Sequence, residues 1–440
     1  MACRSLRIIP RKSDAFHKAA RTQSVQWPIS VCESYEIRAF PWLNALAGLL
    51  SNHLYNNTTD SDLRGSVKEY YPTIQLAALL HDVGHGPFSH TLDDLLKLRF
   101  SISHEDMSRK IILGPLKEQI EELSPDGGGS VDAAEVADVA LGKHRKHPYL
   151  NDILHGEIDV DRMDYLSRDG YHAGIEYRFG PDSLIEKMDI RNVPVVKADE
   201  IEKLRGAISS TGISAKLKEY LARIHELSED HVCIVGDEGI VLCEVLLTVR
   251  KTMYETVYYD KASRRTEKML EKAVNWMLDA KKLDKKEFED PRKFVELDDF
   301  ELFSRMRGAG GFASHVLDSI KSGKPYFEVY SESVRKLRRL REALVRKDFH
   351  LVRKMEEELA EKWRLDLEQV VIDVISVKAF EGGKVFVTRE GQTNFLEGVS
   401  ALARSLTSLG KLEGKVSIYT EKANVHKNKV VKDANGVLSG

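Results

Sequence analysis

The chain has 440 residues, of which 42% are hydrophobic and 31% charged, enough for two or three packed domains. This composition excludes a wholly disordered or fibrous protein. Its 66 basic and 69 acidic residues leave a net charge of −3, so no overall field draws it onto nucleic acid or an anionic membrane. No apolar stretch approaches the roughly 20 residues of a membrane span, and four cysteines are too few for a disulfide framework. We therefore expect a cytoplasmic protein with neither a membrane nor a nucleic-acid partner.

In chain order, residues 1–44 come first and show no sustained helical or strand period. From Leu46 the spacing of apolar residues is helical, as in LAGLLSNHLY, and helical segments are predicted up to about residue 305. Breaks are predicted at residues 127–129, 308–311 and 322–325. A basic amphipathic helix is predicted next, from Val334 to Lys354. Its basic side is either a solvated face or a surface for a second polyanion.

The pattern changes after Trp363 to β-branched runs. VVIDVISV, KVFVT and KVSIYT are predicted strands, and SALARSLTSL between the last two is a predicted helix. The fold class is therefore mainly α with a small α+β module at the end. We divide the chain into an aberrant segment over residues 1–44, a helical domain over 45–321, and the basic helix with the α+β module over 326–440.

The strongest chemical signal is the segment HDVGHGPFSH, which runs from His81 to His90. A neighbouring His81 and Asp82 at the end of an apolar helix offer one nitrogen and one oxygen to a divalent ion, a mixed set that suits transition metals and manganese. The glycines that follow let the chain turn so that His85 and His90 can point into one cavity. Three histidines and an aspartate within ten residues are hard to explain by packing alone, so the segment indicates a site.

A second signal is the segment IDVDRMDYLSRD. If it is helical from about Asp161, the side chains of Asp161, Tyr165 and Asp169 share one face. Asp161 then supplies a carboxylate to a metal ion. Tyr165 and Asp169, on the next two turns, supply a phenol and an acid that bind a substrate. A calcium loop is excluded because Met163 and Asp164 stand where an oxygen ligand and the invariant glycine should be.

His104 is the third element of the predicted site. Ser103 followed by Asp106 is typical of a helix N-cap and its reciprocal acid, which puts His104 in the first turn of a helix. Helix N-termini attract phosphate through their free amides. His104 is therefore well placed to meet a phosphorylated substrate.

These segments, in this order, resemble those of the HD-domain metal-dependent phosphohydrolases, and more closely the deoxynucleoside triphosphate (dNTP) triphosphohydrolases, including the sterile-alpha-motif/HD enzymes and dGTPase-like relatives. The resemblance implies a helical HD fold and one divalent metal ion, with Mn, Fe, Zn, Ni and Mg all open. It implies cleavage of a dNTP into deoxynucleoside and triphosphate. It also implies a homo-oligomer with a nucleotide activator near subunit contacts, for which the basic helix is a candidate lining.

The resemblance assigns site residues by their position in these segments. The implied metal ligands are His81, Asp82 and Asp161. The implied catalytic residues are His85, His90, Asp93 and His104. The implied substrate-binding residues are Arg162, Tyr165, Asp169, Arg250 and Tyr258.

The roles within these groups also follow from the resemblance. His85 and His104 match histidines that contact phosphates, and His90 with Asp93 matches the pair near the leaving 5′ oxygen. Arg162 and Arg250 match phosphate-binding positions. Tyr165 and Asp169 match contacts to the sugar. Tyr258 matches the ring that crowds a 2′-hydroxyl. Tyr254, one turn earlier, stands where relatives carry histidine, so the preferred dNTP stays open.

One expected metal ligand is missing from the sequence. In relatives the first metal histidine lies in a segment resembling HTRFEHSLGV, upstream of a helix containing LAG. Counting back from Leu46 places it at Ala39. Codons for residues 34–42 exist that, shifted by one nucleotide, read HTRLEHSLG, and the same shift further upstream permits MPFTRLRGLNLYSGLFPSAN. We therefore interpret residues 1–44 as out-of-frame translation, with the true frame resuming near Leu46.

Three functions stay open at this point. The first is a dNTP triphosphohydrolase, and the second is an HD phosphohydrolase acting on ribonucleotides or other phosphoesters. The third is a catalytically impaired nucleotide-binding protein, which gains support if Ala39 is natural. Only the first releases intact inorganic triphosphate from a dNTP, and metal content separates the third from the others.

Overall fold

The structure is a computed structural model that describes residues 41–123, 131–175, 179–194, 228–346, 348–376, 384–409, 414–421 and 427–440. Most of the aberrant segment predicted over residues 1–44, including Ala39, lies outside the described residues. Its last four residues are described: the first described helix begins at Pro41, and Leu43 is fully buried. The out-of-frame interpretation of residues 1–44 stays a prediction.

The described part of the chain is mainly helical, which confirms the predicted fold class. The described helices up to residue 279 are α1 (Pro41–Asn57), α2 (Ser61–Leu80), α3 (Asp93–Phe100), α4 (His104–Ile112), α5 (Lys117–Glu121), α6 (Ala133–Ala140), α7 (Tyr149–His155), α8 (Val160–Ala173), α9 (Pro181–Ile185), α10 (Gly236–Met253) and α11 (Lys261–Asp279). The later ones are α12 (Lys285–Glu289), α13 (Pro291–Phe294), α14 (Asp299–Ala309), α15 (Gly311–Lys321), α16 (Arg338–Val345), α17 (Phe349–Trp363), α18 (Leu396–Val399), α19 (Ala401–Leu409) and α20 (Lys427–Ser439).

Helix α2 carries the site's first residues into the core. Its N-cap is Asp60, whose carboxylate accepts hydrogen bonds from the N–H groups of Asp62 and Leu63. Ile74 and Ala77 are fully buried, as the helical spacing predicts, and α2 packs against α1. The helix therefore ends deep in the apolar core, and the chemical segment begins there.

Two strands interrupt the region that was predicted to be helical up to residue 305. Strands β1 (Met188–Pro194) and β2 (Ser228–Val235) pair antiparallel, with Met188 opposite Ile234. The prediction of helical segments throughout is wrong here because the apolar alternation of β1 is confined to Met188 and Ile190, and β2 is apolar only over residues 232–235. Each strand's pairing partner is distant in sequence, so no hairpin pattern marks them.

Five further strands lie in the C-terminal part, and they divide between two sheets. They are β3 (Phe327–Ser333), β4 (Val370–Ser376), β5 (Phe386–Arg389), β6 (Gln392–Phe395) and β7 (Gly414–Thr420). One sheet has the order β1-β2-β5-β6, with β2 and β5 parallel; the other has the antiparallel order β3-β7-β4. All three predicted strands are present, but β5 joins β2 across the predicted boundary at residues 321–326. The division of the chain at that boundary stays a prediction.

The basic segment is two helices, α16 and α17, and not the single helix predicted. The chain turns between them, where the carboxylate of Asp348 accepts from the N–H of Leu351 and caps α17. Leu337 and Leu340 are buried against the β3-β7-β4 sheet in a second apolar cluster. The apolar side of the segment was thus predicted correctly, and its role as a nucleotide-site lining stays a prediction.

Among the described helices, none is long and apolar enough to cross a membrane. Cys233 and Cys243 are buried free thiols, as expected from their apolar surroundings. The other two cysteines, Cys3 and Cys32, lie outside the described residues.

Candidate active site

His81 lies between two carboxylates that are 79 residues apart in the chain. Its ring is buried, with 4% of the residue exposed, and Nε2 lies 3.3 Å from Oδ2 of Asp82 and 3.5 Å from Oδ1 of Asp161. The predicted metal-ligand group therefore converges on one point of the core.

The charges at this point favour a cation. Burial alone would lower the pKa of His81, but hydrogen bonding to Asp161 and Asp82 outweighs it and raises the pKa to about 10. Burial would likewise raise the pKa of Asp82, yet its bond to His81 and the charges of nearby histidines hold it well below its usual range. A position that stabilises a protonated imidazole this strongly also suits a divalent metal ion.

Asp161 is placed by the capped start of α8. The carboxylate of Asp159 accepts from the N–H of Arg162 at 2.7 Å and caps the helix, so Asp161 stands in its first turn. Asp159 is almost completely buried, and burial raises its pKa to about 7. The sequence predicted the helix start correctly to within one residue but did not identify the cap.

Asp93 gathers the three remaining predicted histidines. Its carboxylate lies 3.0 Å from Nδ1 of His104, 3.2 Å from Nδ1 of His90 and 3.5 Å from Nδ1 of His85. Burial would raise the pKa of Asp93, but its bonds to these histidines hold it far below its usual range. The rings of His85 and His104 stack with their centroids 4.1 Å apart. We call these four residues the Asp93 cluster.

Close backbone packing brings the two halves of the Asp93 cluster together. The N–H of Gly84 donates to Oγ of Ser108 at 2.9 Å, and a side chain at Gly84 would overlap the backbone of α4. Helix α4 begins with the predicted capping box, in which Ser103 and Asp106 exchange hydrogen bonds. His104 is therefore in the first turn, as predicted, and faces the loop that carries His85.

Asp82 connects the metal-ligand group to the Asp93 cluster. Its Oδ1 lies 3.7 Å from Nε2 of His85, while its Oδ2 faces His81. Ligand atoms of Asp82, His85 and His104 lie within 4.8 Å of one another and could also hold a metal ion, as could those of His85, His90 and Asp93. The mixed nitrogen and oxygen donors fit a transition metal or manganese. The ring nitrogens of His85 face carboxylates, Nδ1 towards Asp93 at 3.5 Å and Nε2 towards Asp82 at 3.7 Å, so both acids orient its ring.

The predicted sugar contacts also come together. Tyr258 donates a hydrogen bond from its hydroxyl to Oδ2 of Asp169 at 2.8 Å, and its ring meets that of Tyr165 edge-on. Tyr258 ends a π-helical turn, Tyr254–Tyr258, that continues α10. Such turns occur frequently at functional sites. Asp161, Tyr165 and Asp169 occupy successive turns of α8, so this group lies on the same helix as a predicted metal ligand.

The two predicted phosphate-binding arginines are engaged by carboxylates that the sequence did not single out. Nη1 of Arg250 donates to Oε2 of Glu157 at 2.7 Å, and both residues are buried. Arg162 donates to Asp159, and its Nη2 lies 3.9 Å from Glu157. Glu157 therefore draws the two guanidiniums together. Nε of each has no hydrogen-bond partner in the described part of the chain.

The comparisons with known proteins agree with this architecture. The family model described as HD associated region matches residues 220–439, half of the chain, and the HD domain model matches residues 66–169. The chain therefore belongs to the HD-domain proteins that carry an HD-associated region. The HD match contains the metal-ligand group and the Asp93 cluster.

Several curated proteins are similar over part of the chain. An uncharacterized protein of Bacillus subtilis, YwfO, is 39% identical over 27% of this chain and 26% of its own length. An uncharacterized Methanocaldococcus jannaschii protein is 25% identical over 80% of this chain and 64% of its own. The Dictyostelium discoideum deoxynucleoside triphosphate triphosphohydrolase SAMHD1 homolog is 27% identical over 51% of this chain and 37% of its own. The chain thus spans between about a quarter and two thirds of these relatives.

Two solved structures share the fold across nearly the whole chain. A hypothetical protein from Aquifex aeolicus aligns with a TM-score of 0.58 and 22% identity, covering 97% of this chain and 93% of its own. A phosphohydrolase from Bacteroides thetaiotaomicron aligns with a TM-score of 0.57 and 18% identity, covering 93% and 94%. At these identities the likeness establishes the fold alone.

Proposed function

We propose that this HD phosphohydrolase cleaves deoxynucleoside triphosphates to deoxynucleoside and inorganic triphosphate in a metal-dependent reaction. The observation that carries the proposal is the position of His81 between Asp82 and Asp161, at one end of a helix whose next turns present Tyr165 and Asp169. Relatives from Dictyostelium discoideum and Gallus gallus are named as deoxynucleoside triphosphate triphosphohydrolases, which supports the substrate class.

His81, Asp82 and Asp161 would hold the divalent ion. Three protein ligands and an open position are typical of catalytic metal sites. A bound ion supplies positive charge that stabilises the phosphoryl oxygens of a triphosphate during hydrolysis.

The Asp93 cluster would donate a proton to the leaving group and contact the phosphates. Asp93 lies 3.2 Å from Nδ1 of His90 and would orient this ring, whose side chain is 78% exposed, to donate a proton to the departing 5′ oxygen. His85, whose ring stacks on that of His104, and His104, at a helix N-terminus, would contact the phosphates. The acid would thus orient the histidines for both tasks.

The arginines and tyrosines would bind the rest of the substrate. Arg162 and Arg250 would place positive charge beside the phosphates, while Glu157 fixes the positions of both guanidiniums. Tyr258 is held by Asp169, so its ring is fixed where it would crowd a 2′-hydroxyl. Selection for deoxyribose would therefore be steric.

Two other functions remain as alternatives. The HD family membership is equally consistent with hydrolysis of ribonucleotides or other phosphoesters. A catalytically impaired nucleotide-binding protein is favoured by one specific observation, the Ala39 that stands where relatives carry a metal histidine. The broader phosphohydrolase predicts different products, and the impaired protein predicts no product.

Product analysis tests the proposal directly. The purified chain would be incubated with each dNTP and each ribonucleotide in the presence of Mn, Fe, Zn, Ni or Mg, and the phosphate products separated by ion exchange. Intact triphosphate from dNTPs is the expected product. Release of orthophosphate or pyrophosphate instead would reject triphosphohydrolysis, and cleavage of ribonucleotides at equal rates would favour the broader phosphohydrolase.

The proposal extends to partners and compartment. A nucleotide triphosphate substrate is produced in the cytoplasm, so we place the protein there. We also propose a homo-oligomer with a nucleotide activator, because a substrate-level sensor between subunits would let the dNTP pool control its own hydrolysis. Mass measurement with and without added dGTP tests both.

A further inference from the structure

The loop between α2 and α3 contains two consecutive residues in a conformation that side chains disfavour. Phe88 has φ 60° and Ser89 has φ 47°, both in the left-handed region, and neither is glycine. Non-glycine residues adopt this region rarely, and such strain persists only where surrounding contacts enforce it. The loop carries His85 on one side of this pair and His90 on the other.

Contacts from outside the matched HD domain hold Phe88, the first residue of the strained pair. The N–H of Phe88 donates to Oδ1 of Asp299 at 2.7 Å, and the Phe88 ring packs on Phe303 with centroids 4.7 Å apart. Asp299 and Phe303 are four residues apart on α14 and share one face. The helix is capped by Asp298, which accepts from the N–H of Glu301, so Asp299 is available to the loop.

A third contact fixes the preceding turn. A side chain at Gly86 would lie 3.0 Å from the ring of Phe294, the last residue of α13. Phe294, Asp299 and Phe303 all lie in the region matched by the HD-associated model, whereas the loop lies in the HD domain. The associated region therefore supplies the contacts that define the loop's shape.

His90 depends on this shape because its side chain is mostly exposed. It is 78% exposed, against 11% for the side chains of His85 and Asp93. The short 3₁₀ turn Ser89–Thr91 begins at the strained pair and carries His90 directly. A change in the backbone at Phe88 would rotate this turn and move the ring relative to Asp93.

We propose that Asp299 and Phe303 are positioning residues: they clamp Phe88 and Ser89 in the left-handed conformation and so hold His90 in place for proton transfer. The inference rests on the proposed phosphohydrolase function for its catalytic part. The clamp itself is a property of the fold and can be measured without any substrate.

Hydrogen exchange in the full-length chain tests the clamp. Asp299→Ala removes the acceptor of the Phe88 N–H, and we expect the peptide covering residues 84–92 to exchange about fivefold faster, the effect of losing one hydrogen bond. Asp299→Asn retains an acceptor oxygen and should restore slow exchange. Phe300→Ala is the matched control, because Phe300 is on the same helix and 75% exposed. Unchanged exchange in Asp299→Ala would overturn the proposal.

Kinetics test the positioning role. Asp299→Ala and Phe303→Ala should lower kcat about tenfold to a hundredfold, the effect of a small misplacement of a reacting group, with KM and metal content close to those of the parent. Phe300→Ala should retain the parent kcat. Faster loop exchange with unchanged kcat, or a change confined to KM, would overturn the positioning role. A parent chain that releases no triphosphate would instead reject the proposed function, while the exchange measurements still decide the clamp.

Discussion

At the scale of single residues, His81 determines whether the metal assignment holds. Its imidazole faces two carboxylates and its pKa is raised to about 10, which shows that positive charge is stabilised at this position. Imidazole must be neutral to ligate a metal, so the ion competes with a proton for the same nitrogen. The ion's higher charge favours it in that competition.

Replacing His81 by Ala should therefore remove the metal. Residues that only orient a ligand change metal affinity about 10-fold to 100-fold, and loss of a ligand should exceed that. The measurement is metal analysis of the purified chain after dialysis against equal free metal. His172→Ala, at the exposed end of α8, is the control and should keep the metal. A His81→Ala protein with the parent's metal content would contradict the assignment.

Two substitutions at Tyr258 distinguish a steric role of its ring from a hydrogen-bonding role of its hydroxyl. Tyr258→Phe loses the bond to Asp169 but keeps the ring, whereas Tyr258→Ala loses both. If the ring excludes a 2′-hydroxyl, the alanine variant should admit ribonucleotides, raising GTP hydrolysis relative to dGTP at least about tenfold, and the phenylalanine variant should not. Steady-state rates on the two nucleotides give the ratio. An unchanged ratio in Tyr258→Ala would favour the broader phosphohydrolase.

Asp169 provides a complementary experiment. Asp169→Ala removes the acceptor that fixes Tyr258 and is expected to weaken substrate use, because the sugar contact loses both an acid and an oriented ring. Metal content should be unaffected, since Asp169 lies two turns along α8 from Asp161. The variant's KM for dGTP and its metal content are the measurements. Loss of metal would show that Asp169 has a different role.

At the scale of elements, Gly84 shows how the loop and α4 form one site. An added side chain would overlap the carbonyl of His104 and the N–H of Ser108. Gly84→Ala should therefore separate the stacked rings of His85 and His104 and destabilise the fold by several kcal/mol, on the order of other overpacking changes. Gly65, inside α2, has open space around its Cα, so Gly65→Ala should stabilise by about 0.5–1 kcal/mol.

Denaturant unfolding of the two glycine variants gives both free energies. The pair controls for glycine replacement as such, because the same change is made at a crowded and an open position. If Gly84→Ala unfolds at the parent's denaturant concentration, then α4 does not pack on the loop as closely as the structure places it, and the stacking of His85 on His104 needs another explanation.

The elements that the sequence predicted well are those defined by local pattern. The capping box at Ser103, the helix start near Asp161 and the turn after His81 follow from a few neighbouring residues. Strands β1 and β2 were missed because the apolar alternation of β1 is confined to Met188 and Ile190, and because each strand's partner is distant in sequence. Glu157 was missed for a different reason: its role comes from Arg250, 93 residues away, and no local pattern reveals such a pairing.

At the scale of the whole molecule, the two predicted domains are more closely joined than the sequence indicated. The β1-β2-β5-β6 sheet draws strands from both sides of the boundary. Arg264 of α11 pairs at 2.5 Å with the fully buried Asp373 of β4, and Lys272 pairs with Glu356 at 2.9 Å. Breaking one partner of a buried ion pair typically costs about 3–5 kcal/mol. Losing either acidic partner in the C-terminal module would therefore destabilise the helical domain that carries the site.

The segment upstream of α1 bears on metal binding and activity of the whole molecule. Ala39 lies outside the described residues, and we propose that residues 1–44 are translated out of frame. The described site contains three of the proposed metal ligands, whereas the resemblance implies a fourth, a histidine at position 39. The chain as written should therefore bind metal weakly and hydrolyse dNTPs slowly, because one ligand and the residues around it are missing.

Restoring HTRLEHSLG over positions 34–42, with its upstream frame, should rescue both properties. Replacing a residue that only orients a ligand lowers metal affinity about 10-fold to 100-fold. Restoring a ligand itself should have a larger effect, so the repaired chain should bind metal at least that much more tightly. Metal titration and triphosphate release, compared between the two chains, are the measurements. A repaired chain with alanine in place of the second histidine of that segment is the control for the histidine alone. Full activity and stoichiometric metal in the unrepaired chain would show that another residue supplies the ligand and that the frameshift interpretation is wrong.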